Sequence, residues 1–403
     1  MNAPRPSAPR VAVVAEFYPS MRDPVLGVWA HRQAVAARDA GADVRVLVLN
    51  RLVPPRAALA GGASEVVGAA ISRAREPRRQ VRDGIPVTYV SFVSPSRDRS
   101  YANWGAWAAR PLALALGRLS RSFPFEIIHA HNAVPAGDAV RRARAGTPLV
   151  VSVHGGDVLY TARRDEAGAQ AVAAGLGAAR LVLANSAGIA DLARSAGARE
   201  TRVVHLGTSL PAPQGAPRGE AGPPTLVTVA HLVERKRHSD VLRALAVLAP
   251  RHPTLRYSIV GDGPQRIRLE GLAARLGVAD RVDFHGQLSP EAAIAVAQRS
   301  TLFVMPSTDE AFGVAYVEAM AAGVPAIGCR GEPGPEEIAA AGDGFVLVPP
   351  GDIERLTQRI DEMLSDPRRL RETGRRARAT VIANFTWELC GEQTLAAYLQ
   401  ALA

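Results

Sequence analysis

The sequence predicts an α/β protein made of two doubly wound parallel-sheet domains of similar size. Three observations carry this expectation. The chain has 403 residues, too many for one small core at roughly 100–200 residues per domain. Short β-branched apolar runs alternate with Ala-rich helical stretches through both halves, the pattern of parallel βαβ units. Between Thr208 and Thr225 stands SLPAPQGAPRGEAGPP, a Pro- and Gly-rich stretch without periodicity that reads as a linker. The expected division is residues 1–207, a linker over 208–224, a second domain over 225–385, and a final helix over 386–403.

In the first half, VAVVA from Val11 ends at Glu16-Phe17-Tyr18-Pro19, a helix follows from Val28 to Asp39 and stops at Gly41, and Val44–Leu49 resumes the β-branched pattern. Further strands are expected at Pro86–Val90, Glu126–Ala130, Leu149–Val153, Leu181–Ala184 and Arg202–His205. Residues 51–82, with Pro, Gly and the run RAREPRRQVR, read as an inserted basic loop, either solvated or facing anionic lipid. Trp104 and Trp107 lie three apart on an expected helix, a spacing that suits core or inter-helix packing and, alternatively, a sugar platform. The second half repeats the pattern. Strands are expected at Leu226–Val229, Arg256–Val260, Arg281–His285, Leu302–Met305 and Ala326–Cys329, with helices over Val241–Leu248, after Pro264, after Pro290 and over Gly313–Ala322. Trp387–Leu402 reads as an amphipathic helix that could return to the first domain.

Composition narrows the function classes. With 47% hydrophobic and 21% charged residues the chain is of ordinary globular type, not disordered or fibrous. No run approaches the roughly 18 apolar residues of a spanning helix, and no secretory signal is read. Cys329 and Cys390 stand alone, too few for a disulfide framework or a zinc site, so a reducing, cytoplasmic setting is expected. The net charge of +10 comes from Arg scattered along the chain, not from a stripe interleaved with aromatics, which argues against nucleic acid. An anionic ligand or peripheral contact with the inner face of a membrane accounts for the same excess. Lys236 is the only lysine among 48 basic residues. An ammonium is a compact, rotatable point charge that a guanidinium does not replace, so Lys236 is a candidate for chemistry.

In open parallel sheets, ligands collect beyond the carboxyl ends of strands. In the first domain these ends supply Gly27, His129, His131 and His154-Gly155-Gly156-Asp157. The histidines lack a carboxylate-rich partner set for a metal. Hydrogen bonding to a polar ligand suits His154, and a satisfied place in the sheet suits His129. In the second domain the ends supply the stretch from His231 to His238, Gly261-Asp262-Gly263-Pro264, His285-Gly286 and Thr308-Asp309-Glu310-Ala311-Phe312-Gly313. The last opens a helix, whose unpaired N–H groups and positive dipole end favour an anion. Glu310 before that helix and Glu318 within it suit sugar hydroxyls, although Glu310 alone could be a first-turn acid. There is no Walker A sequence, nucleophile elbow, metalloprotease His-Glu pair, or dinucleotide glycine motif after the first strand. There is also no Asp-x-Asp. A leaving diphosphate must then be met by Lys236, Arg side chains and helix N-termini.

These residues resemble glycosyltransferase family 4, retaining enzymes of the GT-B fold. EAFGVAYVE from Glu310 to Glu318 has the family's Glu-x7-Glu spacing and runs on into EAMAAGVPAIG. AHLVERKRHSDVLRAL from Ala230 resembles the basic motif with Lys236 at its lysine, GDGP from Gly261 resembles the family turn, and IIHAH and VSVHGGD resemble its first domain. The resemblance implies two Rossmann-like domains facing a cleft, the first binding acceptor and the second the nucleotide sugar. It implies Gly27 near the donor diphosphate, Lys236 neutralising it and Glu318 on the ribose. Glu310 would contact the donor sugar, the backbone from Ala311 through Phe312 and Gly313 to Val314 the sugar and phosphate, His154 the reacting sugar, and His285 the base. No cofactor or metal is implied. The partners are a nucleotide sugar, UDP-linked or GDP-mannose, and a glycan, glycolipid or small-molecule acceptor.

Two departures stand out. His231 occupies a position where the family commonly has Arg, so either protonation of His231 or the neighbouring Arg235 or Arg237 supplies the charge. Identical pH–rate profiles for wild type and His231→Arg would exclude the first. The second is CRGEPGPEEI from Cys329, whose residues are not assigned individually. The competing readings are a GT-B-like sugar-nucleotide epimerase or phosphorylase, separable by product analysis without acceptor, and a non-catalytic basic binding protein.

Overall fold

The structure is a computed structural model that describes residues 8–20, 23, 25–52, 64–65, 78–211 and 222–403. The chain forms two compact units, Met1–Val204 with Cys390–Ala403, and His205–Leu389. Most of the expected basic loop and the centre of the expected linker lie outside the described residues.

The first unit is an eight-stranded sheet in the order β3-β4-β2-β1-β5-β6-β7-β8. Its strands are β1 (Arg10–Ala15), β2 (Asp43–Arg51), β3 (Arg79–Arg82), β4 (Ile85–Phe92), β5 (Ile127–His131), β6 (Leu149–Val153), β7 (Leu181–Ala184) and β8 (Thr201–Val203). Val11–Ala15 are fully buried, and β1 pairs in parallel with β2 and β5, Val11 opposite Val44 and Ile127. Burial on both faces is why these central strands read as unbroken apolar runs.

Two sequence expectations are corrected here. Arg79–Arg82, read as part of the loop, forms an edge strand antiparallel to β4, joined to it through Asp83 and Gly84, both at positive φ. That turn chemistry suits a hairpin, while arginines on an edge strand discourage further pairing and mask the strand pattern. β8 also stops at Val203, and His205 belongs to the second unit.

The principal helices of the first unit are α1 (Val28–Asp39), α2 (Trp104–Ser122), α3 (Asp138–Ala143), α4 (Glu166–Gly177) and α5 (Ala187–Ser195). Along α2 the buried stripe is Trp104, Ala108, Leu112 and Leu116, a four-residue repeat that leaves Trp107 outside it. Trp104 packs edge-on against Phe92 at 5.8 Å, whereas Trp107 is 51% exposed.

The second unit is a six-stranded parallel sheet ordered β11-β10-β9-β12-β13-β14. Its strands are β9 (Thr225–Val229), β10 (Arg256–Val260), β11 (Val282–Gly286), β12 (Leu302–Val304), β13 (Ala326–Cys329) and β14 (Phe345–Val348). Its helices are α6 (His238–Leu248), α7 (Arg266–Arg275), α8 (Pro290–Arg299), α9 (Val314–Ala321), α10 (Pro333–Ala341), α11 (Ile353–Leu364) and α12 (Pro367–Asn384). Leu226, Val241, Leu245, Tyr257, Ile259 and Leu302 form the heart of its core, all fully buried.

The last helix, α13 (Trp387–Leu402), begins in the second unit, and its residues from Cys390 belong to the first. There Gln33 donates to Thr394 Oγ1 at 3.1 Å, and Gly391 lies so close to Ala36 that a Cβ would come within 2.3 Å of its carbonyl oxygen. Among the described residues no helix is long and apolar enough to cross a membrane.

Candidate active site

Each sheet reverses strand order once, between β1 and β5 in the first unit and between β9 and β12 in the second. Loops leaving two such strands diverge and open a crevice at their carboxyl ends. In the second unit these are the loop from His231 to Arg237 and the loop from Ser307 to Gly313.

The first loop is fixed by backbone. Ala230 N–H donates to Val260, and Leu232 N–H to Asp262, both at 2.9 Å. Gly261, at φ 135°, is needed because a Cβ there would sit 2.0 Å from the Ala230 carbonyl oxygen. A short turn over Glu234–Lys236 then carries Arg235 and Lys236. Thr308 N–H donates to the Arg235 carbonyl at 2.9 Å, stitching the two loops together.

In the second loop, Gly313 precedes α9 at φ 84° and ψ 63°, a left-handed conformation that favours glycine. A Cβ there would also strike the Tyr316 ring at 2.3 Å. Ala311 and Phe312 are buried. The Phe312 ring stacks on His205 at 5.9 Å and meets Phe385 at 5.6 Å.

Lys236 and Glu310 meet here. Lys236 Nζ lies 2.5 Å from Glu310 Oε2, Ser307 Oγ donates to the same oxygen at 2.9 Å, and Arg235 Nη1 stands 4.0 Å away. The sequence reading aimed Glu310 at a ligand; in the structure the residue is 7% exposed and its carboxylate is already held by Lys236 and Ser307. Burial pushes its pKa up, but the charge and hydrogen bond of Lys236, with Arg235 and Ser307, outweigh burial and hold the carboxyl below its ordinary range.

Glu318 is different. It is half-buried on α9, and burial alone pushes its carboxyl up to about 7. His231 and His285 are exposed. His238 is buried, and burial with nearby Lys236 and His231 lowers it to about 4. Glu332 and Gly334 of the unassigned loop also take part. Glu332 Oε2 accepts from Glu310 N–H at 2.9 Å, and Gly334 N–H donates to the Glu310 carbonyl at 3.0 Å. A Cβ on Gly334 would lie 2.3 Å from Phe312 Cα. Sequence reasoning missed Ser307, Glu332 and Gly334 as individuals; the clustering of Gly and Pro in CRGEPGPEEI was the available signal for the last two.

The other two site candidates belong to the first unit. Gly27, at φ 74°, starts α1, where a Cβ would fall 2.2 Å from the Phe17 carbonyl carbon. His154 follows β6, with Nε2 3.0 Å from His131 Nδ1 and its ring stacked parallel to that of His131. Burial lowers His154 to about 4, so it is neutral at physiological pH. His129 is satisfied in the sheet between Tyr398 Oη at 2.8 Å and Ser152 Oγ at 2.7 Å. Among the described residues no group of three His, Cys, Asp or Glu is placed to hold a metal ion.

Two doubly wound units, each with a crevice at its switch point and the second with a basic turn facing an acidic helix head, define a GT-B glycosyltransferase fold. Residues 216–380 match the family described as Glycosyl transferases group 1, and residues 26–210 match Glycosyltransferase Family 4. Together the two matches span most of the chain, and it belongs to this glycosyltransferase family. A Streptomyces coelicolor exopolysaccharide phosphotransferase is 38% identical over 170 residues, 41% of this chain and 18% of that protein. A GDP-mannose-dependent alpha-(1-6)-phosphatidylinositol monomannoside mannosyltransferase from Mycolicibacterium smegmatis is 33% identical over 175 residues, 42% of this chain and 46% of that protein. Both matches take in less than two thirds of the relative's length. Sucrose-phosphate synthase from Thermosynechococcus elongatus shares the fold with a TM-score of 0.76 at 23% identity, covering 97% of this chain and 98% of that one.

Proposed function

We propose that the chain is a retaining, metal-independent hexosyltransferase that moves a sugar from a nucleotide sugar to a hydroxylated acceptor. The Lys236–Glu310 pair at the head of α9, 2.5 Å apart, carries the reading. In this reading the Lys236 ammonium and the backbone N–H groups of Gly313 and Val314 at the start of α9 together meet the diphosphate. Glu318, eight residues on, suits the ribose hydroxyls, and this reading assigns His285 to the base. When donor binds, Lys236 exchanges part of its contact with Glu310 for phosphate oxygen, which frees the Glu310 carboxylate for a sugar hydroxyl.

In the reaction the bond from the anomeric carbon to the diphosphate breaks on the same face to which the acceptor oxygen attaches, and the acceptor's proton passes to the departing diphosphate. No protein nucleophile is needed. The protein positions two substrates and stabilises the charge growing on the leaving group. The N-terminal unit would bind the acceptor. A UDP-sugar is the first donor reading. The alternative, GDP-mannose, is supported by the GDP-mannose dependence of the M. smegmatis relative.

A thermal-shift panel of UDP, GDP, ADP and their sugar conjugates tests this, because a ligand that binds only the folded state raises its melting temperature. One nucleotide class should raise the melting temperature selectively, and Glu318→Ala should abolish the shift. No shift with any nucleotide would refute the reading.

A further inference from the structure

Three contacts between oxygen atoms run end to end behind Glu310. Ser307 Oγ lies 2.9 Å from Glu310 Oε2 and 3.0 Å from Tyr316 Oη, and Tyr316, on α9, donates to the Met305 carbonyl. The row is shut off from solvent. Ser307 and Tyr316 are fully buried, Met305 is 1% exposed and Glu310 7%.

A hydroxyl has one hydrogen to give, and an ionised carboxylate has none. Ser307 and Tyr316 therefore bring two hydrogens to three contacts. With Ser307 turned to Glu310 and Tyr316 to Met305, the two hydroxyl oxygens face each other at 3.0 Å with no hydrogen between them. Turning either hydroxyl only moves the gap to a neighbouring contact, and a partly satisfied buried network is costly. A proton on Glu310 Oε2 closes it. Glu310 then donates to Ser307, Ser307 to Tyr316 and Tyr316 to Met305, one hydrogen in each contact.

Lys236 keeps that proton away. Its ammonium at 2.5 Å from Oε2, helped by Arg235 at 4.0 Å, holds Glu310 ionised against burial. The other titratable groups beside Glu310 are acidic or phenolic: Asp309 precedes it, Glu332 accepts from its N–H, and Tyr316 stands behind Ser307. A diphosphate at Lys236 would draw off the ammonium and add its own negative charge, and both effects favour a neutral carboxyl.

We propose that Glu310 takes up one proton from solvent when the donor binds, and that Ser307 and Tyr316 are positioning residues that hold the neutral carboxyl, Ser307 by turning its hydrogen from Glu310 to Tyr316. Under the transferase reading, on which this role rests, Glu310 Oε1 still accepts from a sugar hydroxyl, and the proton returns to solvent as the nucleotide leaves. Donor affinity then falls as pH rises.

The test is titration calorimetry of the full chain with UDP-glucose and GDP-mannose in buffers of different ionisation heat. Neither ligand has a phosphate monoester to titrate, and protons moved at Glu318 or the histidines are common to all the proteins compared. At about pH 6.5 the wild type should take up at least about half a proton more than Glu310→Gln. Tyr316→Phe should lose most of that difference, because Ser307 then has no acceptor for its turned hydrogen, while the Met305 carbonyl keeps the Ser307 N–H at 2.7 Å. A side chain that only packs would change affinity and leave the proton count alone. Infrared spectroscopy without ligand gives a second measurement, since Lys236→Met should show a protonated-carboxyl band that the double variant with Glu310→Gln lacks. Equal proton counts in wild type and Glu310→Gln, an undiminished count in Tyr316→Phe, or no such band in Lys236→Met would overturn the proposal. Binding of a nucleotide sugar without the proton difference refutes this role alone, and absence of binding by both refutes the transferase reading and the donor linkage together.

Discussion

Replacing Lys236 by Met removes the ammonium that lies 2.5 Å from Glu310 and leaves an aliphatic chain of similar length. The two side chains are only 12% and 9% exposed, so solvent screens their interaction little. Removing one partner of a buried pair costs about 3–5 kcal/mol. Ser307 at 2.9 Å and Arg235 at 4.0 Å remain, which places the expected loss near the lower end, about 3 kcal/mol at neutral pH. The loss depends on pH with a definite sign. In the wild type the folded carboxyl titrates below its ordinary value, so its contribution is full above the unfolded value and disappears as pH falls through the folded one. Without Lys236, burial dominates and the folded carboxyl titrates above its unfolded value, so ionisation becomes a cost that grows as pH rises. Urea unfolding of both proteins should give a gap of about 3 kcal/mol at about pH 7.5 that narrows as pH falls and closes only below the folded titration point of the wild-type carboxyl. In a double-mutant cycle with Glu310→Gln, the two losses should be strongly non-additive. The same variant should lower turnover by roughly 10²–10³ if Lys236 meets the leaving diphosphate. A gap independent of pH, or additive losses, would refute the electrostatic account of the pair.

Glu318→Gln should stabilise the chain above neutral pH, because the wild-type carboxyl titrates at about 7 when folded. The cost of ionising Glu318 is absent below its unfolded value and complete above pH 7, so urea unfolding should show a gain of at most about 3 kcal/mol at about pH 8 and none at about pH 4. The same substitution should abolish the nucleotide thermal shift. Gly261→Ala should cost more than about 2 kcal/mol in urea unfolding, since its φ of 135° and the Ala230 carbonyl leave no room for a methyl group; a loss under about 0.5 kcal/mol would contradict the packing. Tyr398→Phe should cost about 1–3 kcal/mol by stranding His129 Nδ1, its partner at 2.8 Å, and amide exchange should quicken in the first unit.

Legibility in the sequence followed burial. Val11–Ala15 and Leu149–Val153 are buried along almost their whole length, so each residue had to be apolar or small and the strands stood out. Arg79–Arg82 alternates between exposed and half-exposed positions on an edge, and nothing in its composition distinguishes it from a loop. Within the site, Glu310, Gly313 and Glu318 were legible because one stretch of chain sets their spacing. The Lys236–Glu310 bond joins residues 74 apart in sequence, and Glu332 reaches Glu310 across 22; only the ordering of β9, β12 and β13 in the sheet brings them together. Trp104 and Trp107 looked equivalent in spacing, and the four-residue repeat of α2 separates them.

The course of α13 bears on the order in which the protein is made. A chain emerging from the ribosome as far as Leu389 already holds every strand of the six-stranded sheet, so the second unit has all its parts. The first unit, synthesised earlier, still lacks Gly391, Thr394 and Tyr398, which cover Ala36, Gln33 and His129. Domains usually complete themselves from the N-terminus during synthesis. Here the earlier-made half gains its last packing contacts, on Ala36, Gln33 and His129, only after the whole of the later-made half has been synthesised.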